Sequence, residues 1–193
     1  MIKAKKSLGQ NFLIDQNILE KITNTVIIEN KNILEIGPGT GNLTSCILKK
    51  NPKKLFVIEK DNELSIDLKK KFNDQIIIIN DDVLKIDETS LFQDKVTVFG
   101  NLPYNISTEI LSKWIINLKE NFWFECLVLM FQKEVADRII AEFNTSNYGR
   151  LSIICNWKLN VKKIMDIKPE AFYPKPKIDS SLLFFYPKKN FIK

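Results

Sequence analysis

Glu35-Ile-Gly-Pro-Gly-Thr-Gly41 puts three glycines between an apolar run and the start of a helical pattern. Glycines so placed let the backbone pass close to a bound molecule and present N–H groups at a helix start. Acidic residues follow at the ends of the next two apolar runs: Glu59, in Ile58-Glu-Lys-Asp61, and Asp82, in Asn80-Asp-Asp-Val-Leu84. A carboxylate at the first place can accept from both hydroxyls of a ribose. One at the second can accept from the exocyclic amine of an adenine. Asn101-Leu-Pro-Tyr104 adds two acceptors, the Asn101 side-chain carbonyl and the Leu102 backbone carbonyl, beside an aromatic ring. Histidine is absent from the chain. That excludes His-based triads, imidazole general bases and histidine metal ligands. Cys46, Cys126 and Cys155 are far apart among apolar neighbours, with neither zinc nor redox spacing, and read as buried reduced thiols. No metal site is expected.

Such groups need a frame that gathers them. The 193 residues, 45% hydrophobic and 27% charged, amount to one globular domain with room for a small appendage at most. Asp15 is a plausible N-cap for a helix through about Thr25, with Ile18, Leu19, Ile22 and Val26 on one face. Apolar runs predict strands at Asn32–Ile36, Lys54–Ile58, Gln75–Ile79, Lys95–Phe99 and Glu125–Phe131. Helical spacing predicts helices over Asn42–Lys50, Asn62–Phe72, Ser107–Leu118 and Lys133–Phe143. Alternation of that kind implies a mostly parallel, doubly wound sheet. After Gly149 the pattern changes. A helix over Arg150–Asn156 leads to two extended runs, Trp157–Ile164 and Ser181–Tyr186, expected as an antiparallel pair on the sheet edge.

The formal charge is +6, from 29 Lys and Arg against 23 Asp and Glu, which suits an anionic partner such as nucleic acid. The abundance of Lys, Ile and Asn, with Arg only at Arg138 and Arg150, reads as A+T-rich coding and weakens that inference. No stretch is long and apolar enough to span a bilayer, and the basic start lacks the apolar core of a signal peptide. A cytoplasmic location is expected.

The glycine spacing narrows the ligand. A dinucleotide fingerprint needs G-x-G-x-x-G, and its third glycine would fall on Asn42. The pattern here, G-x-G-x-G, resembles the loop that S-adenosylmethionine-dependent methyltransferases wrap around their cofactor. Asn101-Leu-Pro-Tyr104 likewise resembles the Asn/Asp-Pro-Pro-Tyr/Phe turn of methyltransferases that act on exocyclic amines of nucleobases. An aromatic amine delocalises its lone pair into the ring. Two acceptors on its N–H groups would favour a more tetrahedral nitrogen and aim the lone pair at a sulfonium methyl. Tyr104 can stack on an extruded base, an interaction worth about 1–3 kcal/mol. No strong general base is needed.

Taken together, these motifs resemble those of the ribosomal RNA adenine dimethyltransferases, the small-subunit dimethyladenosine transferase family with the Erm-type methylases as cousins. The resemblance runs from Lys5 to about Tyr186. It is carried by Ser7-Leu-Gly-Gln-Asn-Phe-Leu-Ile-Asp15, Glu35–Gly41, Ile58–Asp61, Asp81-Asp-Val-Leu84, Gly100-Asn-Leu-Pro-Tyr-Asn-Ile-Ser107, Gln132-Lys-Glu-Val-Ala-Asp-Arg138 and Ala171-Phe-Tyr-Pro-Lys-Pro-Lys-Ile-Asp-Ser180. It implies a doubly wound, Rossmann-like α/β methyltransferase fold, with a mostly parallel seven-stranded sheet and an antiparallel edge strand. It implies S-adenosylmethionine as cofactor. Asn11 and Leu13 would close over its methionine end, with Gly37 and Gly39 against it, Glu59 at the ribose, Asp82 and Val83 at the adenine, and Lys60 as a further cofactor contact. Asn101 would contact both the cofactor and the target amine, with Leu102 and Pro103 beside it, and Tyr104 and Phe172 would flank the target base. By residue type alone, Phe172 is equally a core aromatic, and Gln10–Leu13 equally a loop before a helix.

The implied reaction is dimethylation at N6 of two adjacent adenosines near the 3′ end of small-subunit ribosomal RNA, in a pre-30S-type particle, by a monomer. Lys3, Lys5, Lys6, Lys175 and Lys177 are the expected phosphate contacts. The alternatives are an Erm-type methylase of large-subunit RNA and a non-catalytic assembly factor on the same fold. Leu8-Gly before Gln10 and Asn101-Leu before Pro103 favour the small-subunit family. Residues 1–187 are expected to be the catalytic domain, with residues 1–14 as a basic arm and 188–193 as a short tail. The helical C-terminal domain of the family is expected to be absent.

Overall fold

The computed structural model of the chain describes residue 5, residues 9–118 and residues 122–191. Lys3, Lys6, Ser7 and Leu8 of the expected arm lie outside the described residues. In chain order the elements are β1 (Phe12–Leu13), α1 (Gln16–Thr23), β2 (Asn32–Ile36), α2 (Asn42–Leu48), β3 (Lys54–Ile58), α3 (Asn62–Phe72), β4 (Ile77–Ile79) and α4 (Glu88–Leu91). There follow β5 (Val96–Asn101), α5 (Ser107–Ile116), β6 (Phe124–Gln132), α6 (Lys133–Ile139), α7 (Arg150–Lys158), β7 (Leu159–Ile167), β8 (Phe172–Tyr173) and β9 (Ser180–Pro187).

Apolar runs buried on both faces pair in parallel, as their composition requires. The large sheet has the order β4-β3-β2-β5-β6-β9-β7. The first five strands are parallel, and β9 runs antiparallel to both β6 and β7. The reversed strand therefore lies one place in from the edge, with β7 outermost. One face is covered by α1, α2 and α3, which bury Leu19, Ile22, Leu43, Ile47, Leu68 and Phe72 against it. The other is covered by α5, α6 and α7, through Ile110, Leu111, Trp114, Ala136, Ile139 and Cys155. All three cysteines are free and buried.

The chain moves outward from β2 to β3 and β4, then crosses back to β5 on the other side of β2. That reversal opens a crevice at the carboxyl ends of β2 and β5, where doubly wound sheets bind their ligands. Caps fix the approaches. Asp15 accepts from Ile18 N–H at the start of α1, and Asp61 accepts from Glu63 N–H at the start of α3.

Two departures from the expected elements bear on the site. Gly100 and Asn101 remain in β5 instead of turning, because β2 and β6 continue beside them: Gly100 is in register with Ile36 and Leu129, and Asn101 with Met130. A Cβ at Gly100 would lie 2.8 Å from Leu102 Cδ2 and 3.1 Å from Leu129 Cδ2, so close packing reserves the place for glycine. The second is a two-stranded ribbon, β1 against β8, with Phe12 opposite Tyr173 and Leu13 opposite Phe172. It ties the N-terminal segment to the loop that precedes β9.

Candidate active site

The crevice encloses about 930 Å³, part of it open to solvent, between Gly9–Phe12, the glycine loop, Glu59, Asp81–Val83 and Asn101–Ile106. Gly37 ends β2 in the left-handed region (φ +65°), and its N–H donates to Ile58 carbonyl at 2.9 Å. Gly39, at φ +58°, turns its backbone into the cleft, and a Cβ there would meet the Phe12 ring at 2.7 Å. Phe12 thus forms one wall against which the loop is pressed.

Glu59 follows β3 and is only 6% exposed. Its Oε2 accepts from Gly39 N–H at 3.2 Å and its Oε1 from Asp61 N–H at 2.8 Å. The carboxylate therefore braces the glycine loop against the start of α3 and still has lone pairs to offer a ligand. Burial pushes its pKa up, and the backbone N–H donors oppose that only in part. Asp61 is buried in turn. Its Oδ1 accepts from Lys5 Nζ at 2.8 Å and its Oδ2 from Gln10 Nε2 at 3.1 Å. Burial alone would raise the Asp61 carboxyl; the Lys5 and Gln10 bonds outweigh it and hold the group below its usual range.

Asp82 caps a short 3-10 turn, Val83–Lys85, accepting from Leu84 N–H at 3.0 Å through Oδ1. Its Oδ2 is 2.8 Å from Lys60 Nζ, and that ammonium holds the carboxyl below its usual range. Lys60 therefore neutralises Asp82 across the mouth of the cleft, a pairing the sequence did not disclose. Val83, buried, lines the adjoining wall. On the opposite side Asn101 Nδ2 donates to Asn11 carbonyl at 2.8 Å. With its amide nitrogen so held, the Asn101 carbonyl oxygen is turned away from Asn11. Leu102 is buried, Pro103 and Tyr104 line the cleft, and the Tyr104 hydroxyl is 2.6 Å from Ser180 Oγ.

The fold thus brings Asn11, Gly37, Gly39, Glu59, Lys60, Asp82, Val83, Asn101, Leu102, Pro103 and Tyr104 to one cleft. Phe172 is not part of its lining, and Leu13 instead lines a small neighbouring cavity with Gly37, Asn42 and Asn101. Leu13 and Phe172 are 4% and 3% exposed and face each other across β1 and β8 inside the core that also holds Ile22, Ile33 and Leu182. Strand alternation is the cause: Phe12 and Tyr173 take the other face of the ribbon, and Tyr173 is 57% exposed. Gln10, Phe12 and Asp61 were not foreseen as parts of the site. Asp61 takes its place as the cap of α3, and Phe12 and Gln10 acquire theirs only through long-range contacts.

The whole chain, residues 1–193, matches the family model "Ribosomal RNA adenine dimethylase". A relative from Pelagibacter ubique, named ribosomal RNA small subunit methyltransferase A, is 70% identical over all of this chain and 73% of its own length. A dimethyladenosine transferase structure from Plasmodium falciparum superposes with TM-score 0.81 at 33% identity, over 92% of this chain and 64% of that one. The 23S rRNA methyltransferase ErmE shares the fold, with TM-score 0.77 at 24% identity over 95% of this chain and 72% of its own. The chain spans 73% of the Pelagibacter protein and 64% of the Plasmodium one. On the match along its full length, over a site whose glycine loop, Glu59 and Asn101 converge, the chain belongs to the ribosomal RNA adenine dimethylase family.

Proposed function

We propose that this chain transfers methyl groups from S-adenosylmethionine to N6 of two adjacent adenosines near the 3′ end of small-subunit ribosomal RNA, two to each. The observation that carries the reading is the convergence of the glycine loop, Glu59 and Asn101-Leu-Pro-Tyr104 on one cleft. The name of the Pelagibacter relative supports the small subunit as the source of the RNA. The enzyme would work in the cytoplasm, on a pre-30S-type particle.

The residues present fit the cofactor. Gly37 and Gly39 line the cleft with backbone alone, both in the left-handed region, and Glu59 offers buried carboxylate oxygens where ribose hydroxyls need acceptors. Asp82 and Val83 form the wall for the adenine, and Asn11 covers the end nearest Asn101. When bound, S-adenosylmethionine supplies a methyl group on a sulfonium, which carries its own leaving group. Asn101 Oδ1 and Leu102 carbonyl accept from the N6 hydrogens of the target adenine and direct its lone pair into the cleft. Tyr104 offers its ring face to the extruded base. The proton released after transfer is acidic enough to pass to solvent, consistent with a site that has no histidine.

Small- and large-subunit particles lacking the modification, each incubated with the chain and methyl-labelled S-adenosylmethionine, test the reading. Label should enter small-subunit RNA. Label confined to the large subunit, or in neither, would overturn it.

A further inference from the structure

Tyr104 sits in a turn after β5, yet its hydroxyl reaches Ser180 Oγ at 2.6 Å, across 76 residues of chain. Ser180 is fully buried and opens β9, where it is in register with Gln132 of β6 and Ile167 of β7. The peptide before it is also held, since Lys133 N–H donates to Asp179 carbonyl at 2.9 Å. Ser180 Oγ is therefore a fixed point of the sheet. A tyrosine ring has two side-chain torsions. A hydrogen bond from its far end to a fixed point sets the direction of the ring, and because the phenolic O–H and lone pairs lie near the ring plane, the place of Ser180 also favours one plane. Burial pushes the Tyr104 phenol above its usual range, and the serine bond offsets this only in part. The phenol stays neutral and engaged, which leaves the face of the ring as the part available to a substrate. Ser181, the next residue, faces the other way and donates to Asp166 Oδ1 at 2.5 Å. It cannot replace Ser180.

We propose that Ser180 is a positioning residue for methyl transfer: by hydrogen bonding to the Tyr104 hydroxyl it sets the plane on which the target adenine stacks. This deepens the function proposed above and rests on it. It makes β9, and not only the Asn101–Tyr104 turn, part of the apparatus that presents the base. It also assigns the tyrosine hydroxyl a purely orienting part.

Steady-state kinetics on small-subunit particles test it with Ser180→Ala, Tyr104→Phe, the double variant, and Ser181→Ala as the control on the same strand. Cofactor affinity is measured by calorimetry and folding by thermal melting. Ser180→Ala should lower kcat/KM for the particle by about three- to tenfold, the range of one net hydrogen bond. The affinity for S-adenosylmethionine should stay unchanged. Tyr104→Phe removes the same bond from the other end and should lose a similar amount. The double variant should be no worse than the more impaired single one, because there is only one bond to lose. Ser181→Ala should leave the RNA kinetics as they are. The proposal is overturned if Ser180→Ala keeps native kcat/KM, if the two single losses multiply, or if Ser181→Ala loses as much. Should Ser180→Ala fail to fold, native kcat/KM in Tyr104→Phe overturns it alone. Absence of methylation by the native chain would instead overturn the function beneath it.

Discussion

Glu59 is engaged on both sides before any ligand arrives: one oxygen holds the glycine loop at Gly39, the other the start of α3 at Asp61. A glutamine at 59 keeps the shape but removes the charge and one acceptor, so it should weaken S-adenosylmethionine binding by about tenfold or more, the scale of one charged hydrogen bond. Calorimetry on Glu59→Gln checks this, and an unchanged Kd would remove Glu59 from the cofactor site. Glu59, Asp82, Asn101 and Tyr104 were legible in the sequence because each lies at the end of an apolar run, where a parallel sheet gathers its functional groups. Phe172 was not. An aromatic residue in an extended segment takes one face or the other according to register, and only the pairing of β8 with β1 sends Phe172 inward and Tyr173 outward. Lys60, expected among the cofactor contacts, does line the cleft, and its pairing there with Asp82 is what the sequence did not disclose.

At the level of elements, β2, β3 and α3 were legible to the residue, because their apolar periods are bounded by turn residues and a cap. The β1–β8 ribbon left no trace in the sequence, since two residues carry no period and their partners are 160 positions away. Yet this ribbon sets one wall of the cleft, for it presents Phe12 against Gly39. An alanine at 39 would meet that ring while holding a left-handed backbone, so it should cost about 1–3 kcal/mol in stability and weaken cofactor binding. Thermal melting and calorimetry on Gly39→Ala check both. An alanine variant with native melting and affinity would show that the loop yields freely.

For the molecule as a whole, the motif acid Glu35 ties stability to pH. It is 1% exposed between β2 and α2, where Thr44 Oγ1 donates to its Oε2 at 2.7 Å. Burial pushes its pKa from 4.5 to about 8, with the Thr44 bond opposing only in part. The unfolded chain releases this proton near the ordinary value and the folded chain only near the raised one. Between those limits the native state binds more protons, so stability falls as pH rises, and above about 8 the loss is complete. Glu35→Gln removes this dependence. Urea unfolding across that range should show a native slope more negative than that of the variant, by up to about 1.4 kcal/mol per pH unit. Equal slopes would mean that Glu35 is ionised in the fold. The overall charge, +6, says less, because its lysines are spread through the sequence and many are paired with acids.

The most direct measurement is nucleoside mass spectrometry of small-subunit RNA after incubation of unmodified particles with S-adenosylmethionine and either the native chain or Asn101→Ala. Asn101 donates to Asn11 and lies at the meeting of β5 with the cleft, so its loss removes an acceptor for the amine and a tie to the arm. Expected is N6,N6-dimethyladenosine with the native chain and at least about a 100-fold lower rate with the variant, the scale of a lost electrostatic contact at a reacting group. No dimethyladenosine from the native chain, or an undiminished rate from Asn101→Ala, would contradict the assignment of this cleft to adenine methylation.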